Sequence, residues 1–150
     1  MLKRATIRDV PAITSLINYT AQQGLVLPKS LSQVYQNVRD FIIYEEGGEL
    51  IGCGALHVLW EDLAEIRSLV VREEHRHKGI GRMLVAALLE DARALGVPCV
   101  FALTYKPEFF LQLGFREIAK ESLPHKIWVD CIDCPKFPNC DETAVILELS

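Results

Sequence analysis

No run of the sequence approaches the roughly 20 consecutive apolar residues that a membrane-crossing helix needs. The opening MLKRATIRDV also lacks the apolar stretch of a secretory leader. A soluble, cytoplasmic protein is the expectation. Positive charge is in short supply: 16 Lys and Arg stand against 20 Asp and Glu, for a formal net charge of -4. With no basic stripe or basic amphipathic helix, that balance argues against a general nucleic-acid or membrane-surface role. Internal repeats, linkers and low-complexity segments are absent, as are the phosphate-loop pattern GxxxxGKS/T and a second CxxC pair. What remains is 150 residues, 50% of them hydrophobic, enough for one domain over 1–150 with a sizeable core.

Punctuation and periodicity give the elements. A short strand covers about Leu2 to Ile7, after which Asp9 caps a helix with Pro11 in its first turn and Ile13, Leu16 and Ile17 on one face. Ser30 and Gln33 have capping-box spacing, predicting a second helix to about Asp40. FIIYEEGGELIGCGALHVLW reads as two strands joined at Glu46, Gly47 and Gly48, and AEIRSLVV as a third. From Gly79 the period lengthens: Ile80, Met83, Leu84, Ala87 and Leu88 mark a long helix that runs through Leu95 and stops at Gly96 and Pro98. CVFAL, FREI and TAVILEL read as strands and PEFFLQL as a short helix. The sum is an α+β (mixed α/β) chain, a mixed central sheet flanked by helices on both faces.

One corner departs from the acidic average. EEHRHKGIGRML sets Arg76, His77, Lys78 and Arg82 around Gly79 and Gly81, where a strand ending at Val71 gives way to a helix. Free backbone N–H groups and the positive end of a helix dipole meet there, an arrangement that binds phosphate. The glycines are expected to let the backbone approach a ligand closely. An ordinary helix start with solvated charges fits the same two glycines equally well.

The run AEIRSLVVREEHRHKGIGRMLVAALLEDARALG, with FFLQLGF after the next strand, resembles the acetyl-CoA-binding core of the GNAT superfamily of N-acetyltransferases. The loop of that family reads Gln or Arg, two residues, Gly, one residue, then Gly or Ala, and Arg76, Gly79 and Gly81 match it. The resemblance extends from about Lys3 to Ile118. It implies the GNAT acyl-CoA N-acyltransferase fold, acetyl-CoA as cosubstrate, and its pyrophosphate on the backbone N–H groups of His77, Lys78, Gly79, Ile80, Gly81 and Arg82. Leu69, Val70 and Val71 would pair with the pantetheine arm. LVLPKS, ELIGCGAL, AEI and FALTYKPEFFLQLGF are further similar to the acetyltransferase half of N-acetylglutamate synthases, here without the kinase-like half. Many family members carry a tyrosine acid where this chain has Phe110. That departure disfavours a tyrosine-acid mechanism and agrees with the synthase-like group.

Acetyl transfer to an amine needs a base, a donor for the developing oxyanion and a means of orienting the acceptor. Glu65 is the first candidate base, acting directly or through water; in a regular strand it shares a face with Arg67 unless a bulge intervenes. Work near neutral pH asks for a carboxyl pKa above the reference of about 4.3. The alternative is a structural ion pair with Arg67. By resemblance Lys29 and Lys126 bind an acidic acceptor, with Arg67 and Lys106 weaker choices and Leu27 and Ser68 also counted as acceptor-binding, and Thr104 and Tyr105 touch the acceptor or the departing thiolate. A lone lysine is usually a solvated surface group. His57 reads as a satisfied structural histidine, and His75 and His77 as members of the loop.

Cys131, Cys134 and Cys140 form C-x2-C-x5-C inside a Cys/Pro-rich segment at about 124–142, with His125, Asp130, Asp133 and Asp141 at hand as a fourth metal ligand. Free thiols in a loop over the acceptor pocket are the plainer reading. The expectation is an N-acetyltransferase acting by direct attack on the α-amine of a small amino acid, L-glutamate first, as in arginine biosynthesis. Another amino acid, a polyamine or a protein N-terminus keeps the fold and changes the acceptor. A non-catalytic acyl-CoA sensor or a metal- or partner-binding subunit is the alternative of another class. GNAT resemblance is compatible with a homodimer.

Overall fold

The computed structural model describes residues 1–123 and 142–149. Seven strands form one sheet in the order β1-β2-β3-β4-β5-β7-β6: β1 (Leu2–Arg4), β2 (Phe41–Glu46), β3 (Glu49–Trp60), β4 (Leu63–Val71), β5 (Cys99–Thr104), β6 (Arg116–Ile118) and β7 (Thr143–Glu148). Only the β4–β5 pair is parallel, as the connection through the long helix requires. Helices α1 (Val10–Gln22) and α2 (Leu31–Gln36) cover one face, and α3 (Ile80–Leu95) and α4 (Pro107–Leu111) the other. Among the described residues no helix is long and apolar enough to cross a membrane.

Each face buries its own apolar cluster. On one side Val10, Ile13 and Ile17 of α1 meet Phe41, Ile43, Cys53 and Val70 of the sheet. On the other, Ile80, Leu84, Val85, Leu88, Leu89 and Ala92 of α3 cover Ile51, Leu56, Ala64 and Ile66. The stripe on α3 is turned slightly from the expected one: Val85 and Leu89 are buried, whereas Met83 is exposed. Gly79, with φ of 84°, stands at the N-terminus of α3, and Gly96, with φ of 82°, stops the helix in the left-handed region.

Three local expectations are corrected. β1 stops at Arg4, because Thr6 and Asp9 close a single helical turn over Ile7–Asp9. Asp9 accordingly turns its carboxylate back to the Thr6 N–H at 2.7 Å instead of capping α1. The Ser30–Gln33 capping box does form, at 3.1 and 2.8 Å. Yet α2 ends at Gln36, since the Asn37 side chain bonds the Gln33 carbonyl at 2.8 Å and a separate 3-10 turn carries the chain to Asp40.

The feature that shapes the sheet is a bulge in β4. Cys53 pairs with Val70 and Ala55 with Arg67, so Ser68 and Leu69 together oppose Gly54. Ser68 takes a φ of 54°, unusual for a residue with a side chain. Across the bulge Gly54 leaves no room: a Cβ there would meet Leu69 Cδ1 at 3.0 Å and Leu88 Cδ1 at 3.1 Å. Gly54→Ala is therefore expected to destabilise by about 1–3 kcal/mol through overpacking. A thermal melt within a degree of the parent would show that α3 and the bulge can shift aside.

Candidate active site

After Glu65, β4 and β5 part. Their parallel pairing comprises Leu63 with Cys99, Ala64 with Val100 and Glu65 with Phe101, and β5 then continues against β7 alone. The bulged second half of β4 presents an open backbone edge to a cleft of about 1290 Å³. The loop before α3 and the loop between α1 and α2 both border this cleft, the first following the C-terminal end of β4 and the second lying with Glu65 and Arg67 among its lining residues.

The loop end is built from backbone. His77 with φ of 66° and Gly79 with φ of 84° alternate with ordinary conformations, curling the chain so that successive N–H groups converge. None of the N–H groups from His77 to Arg82 finds a backbone acceptor among the described residues; the first that does is Met83, bonded to the Gly79 carbonyl at 3.1 Å. Here the glycines divide their roles differently from the sequence-based expectation. Gly79 provides the left-handed turn, with open space where a Cβ would stand. Gly81 makes room for protein, because a Cβ would lie 3.2 Å from Phe109 Cζ of α4. Arg76 turns inward, its Nε donating to the Val71 carbonyl at 3.1 Å, and so fastens the loop to the end of β4. Lys78 is exposed and does not line the cleft.

The other end is built from side chains on separate elements. Glu65 is 8% exposed and accepts from Arg67 Nε at 2.6 Å, both on the α1/α2 face of β4, because the bulge falls just beyond Arg67. Across the ladder His57 pairs in register with Glu65, and His57 Nδ1 lies 2.8 Å from Asp40 Oδ2. Leu27 and Lys29 reach the cleft from the α1–α2 loop. Asn18 of α1 holds that loop by two bonds, Nδ2 donating to the Lys29 carbonyl at 2.8 Å and Oδ1 accepting from the Lys29 N–H at 2.9 Å. Thr104 and Tyr105 line the cleft at the end of β5, with the Thr104 hydroxyl accepting from the Lys106 N–H at 2.9 Å.

Leu27, Lys29, Glu65, Arg67, Ser68, Leu69, Val70, Val71, Arg76, His77, Gly79, Ile80, Gly81, Arg82, Thr104 and Tyr105 therefore all border one cleft. Lys126, Cys131, Cys134 and Cys140 lie outside the described residues. Sequence reasoning passed over Asn18, Asp40 and the buried Glu142, which also border or support the cleft. The partners of Asn18 and Asp40 lie 11 and 17 residues away, and only the capping pattern at Ser30 hinted at a fixed loop. Phe110, at the family's tyrosine position, is buried edge-on between Phe109 and Phe115, with ring centroids 5.2 and 5.1 Å away.

The acetyltransferase (GNAT) family model matches residues 17–115. The chain belongs to that family. It is 41% identical over 148 residues to an uncharacterised N-acetyltransferase of Chlorobaculum tepidum, covering 99% of this chain and 96% of the relative. An amino-acid acetyltransferase of Mycobacterium tuberculosis is 43% identical over 121 residues, 79% of this chain and 69% of the relative. N-acetylglutamate synthase of Neisseria gonorrhoeae, solved with coenzyme A and N-acetyl-glutamate, superposes with a TM-score of 0.91 at 28% identity. All of this chain matches about a third of that one, 35%.

The Asn18 clamp makes a direct prediction. Asn18→Ala removes two hydrogen bonds worth about 1 kcal/mol each, so amide exchange at Lys29 is expected to quicken by at least about 10-fold. An unchanged exchange rate would mean that the loop is held by other contacts.

Proposed function

We propose that this GNAT acetyltransferase transfers acetyl from acetyl-CoA to the α-amine of L-glutamate, as the first acetylation step of arginine biosynthesis. The observation that carries the reading is the two-ended cleft, with converging backbone N–H groups at one end and cationic side chains beside a buried carboxylate at the other. The kinship with amino-acid acetyltransferases, and with a synthase solved with coenzyme A and N-acetyl-glutamate, supports it.

In this reading the N–H groups of the loop before α3 take the pyrophosphate, helped by the dipole of α3. The open edge of β4 from Leu69 to Val71 bonds the pantetheine arm and points the thioester at the bulge. Lys29 and Arg67 attract the carboxylates of the acceptor, with Leu27 and Ser68 shaping its seat. Glu65 takes the proton that the amine must lose before attack. Thr104 and Tyr105 stand where the thiolate departs. Attack in this reading is direct; of the described cysteines, burial pushes the Cys53 thiol up to about 12 and also raises Cys99, so neither is a thiolate near neutral pH. Tyrosine-acid chemistry is disfavoured because Phe110 has no hydroxyl and packs in the core.

Release of CoA thiol against a panel of amino acids, polyamines and peptide N-termini tests the acceptor, and selective turnover of glutamate is expected. Glu65→Gln should lower kcat by about 10²–10⁴-fold, the usual contribution of a general base. Lys29→Ala should raise the KM for glutamate by about 10-fold or more, as loss of a charge-assisted bond implies, and leave the KM for acetyl-CoA unchanged. Turnover restricted to other amines would discard glutamate, and acetyl-CoA binding without turnover on any amine would favour a sensor.

A further inference from the structure

The mechanism above leaves a proton with nowhere to go. An amino-acid ammonium loses two protons on becoming an amide N–H. One ends on the sulfur of the departing CoA thiolate, and the other must reach solvent for the site to reset. Glu65 is poorly placed to deliver it, being 8% exposed and bonded to Arg67 at 2.6 Å. Across the β3–β4 ladder stands His57, in register with Glu65, on the same face and bordering the same cleft. Directly opposed residues of antiparallel strands hold their Cβ atoms roughly 4.5–5.5 Å apart. The side chain of His57 is 30% exposed, against 10% for that of Glu65, so of the two opposed residues it is the one with the readier access to water.

We propose that His57, oriented by Asp40, relays to solvent the proton that Glu65 takes from the acceptor amine. Asp40 Oδ2 lies 2.8 Å from Nδ1 and accepts its hydrogen bond, which leaves Nε2 as the ring nitrogen not held by Asp40, on a residue that borders the cleft. Each turnover is balanced: Nε2 binds the proton released by Glu65, the ring passes it to water, and neither oxidant nor metal takes part. Beyond Asp40 ahead of β2 and Glu65 on β4, the charged groups bordering the same cleft include Lys29, Arg67, Lys106, Lys120, Glu121 and Glu142. A fixed pair bridging only two strands and a turn would satisfy the same hydrogen bond, so the test must read proton transfer rather than stability.

The proposal rests on the cleft's holding an amine acceptor. His57→Ala, His57→Gln and Asp40→Asn are therefore assayed with whichever amine the parent acetylates, so that failure of glutamate discards that acceptor while the proton route is still tested. His57→Ala is expected to lower kcat by about 10²-fold with the KM for acetyl-CoA unchanged, and added imidazole should restore activity in proportion to its concentration. His57→Gln, which keeps bulk and polarity, should show the same loss without requiring the smaller side chain to fold. Asp40→Asn should lose less than either His57 variant. Three results would overturn the relay: kcat of both His57 variants within about 3-fold of the parent across pH 6–9, a loss confined to the acceptor KM, or a loss that imidazole does not repair.

Discussion

The bulge at Ser68 is the constraint on which the site depends. A positive φ at a residue with a side chain costs on the order of 1–3 kcal/mol, and here the surrounding structure enforces it. Gly52 and Gly54 on β3 leave space that α3 and the bulged backbone fill, with Leu84, Leu88 and the Val70 carbonyl within 3.0–3.3 Å of where a Cβ would be. The Cys53 thiol reaches the Ser68 carbonyl at 3.5 Å from a fully buried position. Two consequences follow. β4 swings away from β5 beyond Glu65, opening a polar edge that would otherwise be spent on sheet pairing. The parity of the strand also shifts, so that Val70 joins Glu65 and Arg67 on the α1/α2 face while Leu69 and Val71 pack with α3.

The loop before α3 is the part of the site that an acidic chain could use for an anion. In the proposed reading this site would not depend on net positive charge, because its donors would be backbone N–H groups that follow His77 and Gly79 into the start of α3. Arg76, the most suggestive cation of the motif, is engaged with the Val71 carbonyl and fixes the loop relative to the bulged strand. The strand edge and the helix start are thereby joined as one rigid surface. Gly81 completes it by letting Phe109 close over the first turn of α3, which ties α4 and the end of β5 to the same unit.

What the sequence made legible was local. The Gly47–Gly48 turn, the Ser30–Gln33 box and the length of α3 each come from residues within a few positions of one another, and each forms as expected. The bulge was not legible, since serine carries no signature of left-handed backbone and the glycines that permit it sit on another strand. Asp9 misled because two turns compete for its carboxylate and the one closed by Thr6 wins. α2 fell short because Asn37, unremarkable in composition, bonds back to Gln33 and ends the helix.

The same contrast divides the two ends of the cleft. The end that would bind the cosubstrate is a nearly continuous stretch, Ser68 to Arg82, whose function lies in backbone conformation, and a motif can report it. The acceptor end draws Lys29, Asp40, His57, Glu65 and Arg67 from a loop, a turn and two strands, joined by contacts such as Asn18 to Lys29 and Asp40 to His57 that span 11 and 17 residues. Such contacts leave no periodic trace. They also sit on a scaffold already fixed by the bulge and the two apolar clusters, so substitutions at these positions would leave the sheet in place. The two ends differ in what a substitution disturbs: altering backbone geometry at the loop end would undo the splay of β4 from β5, whereas altering Lys29 or His57 exchanges one solvent-touched side chain for another.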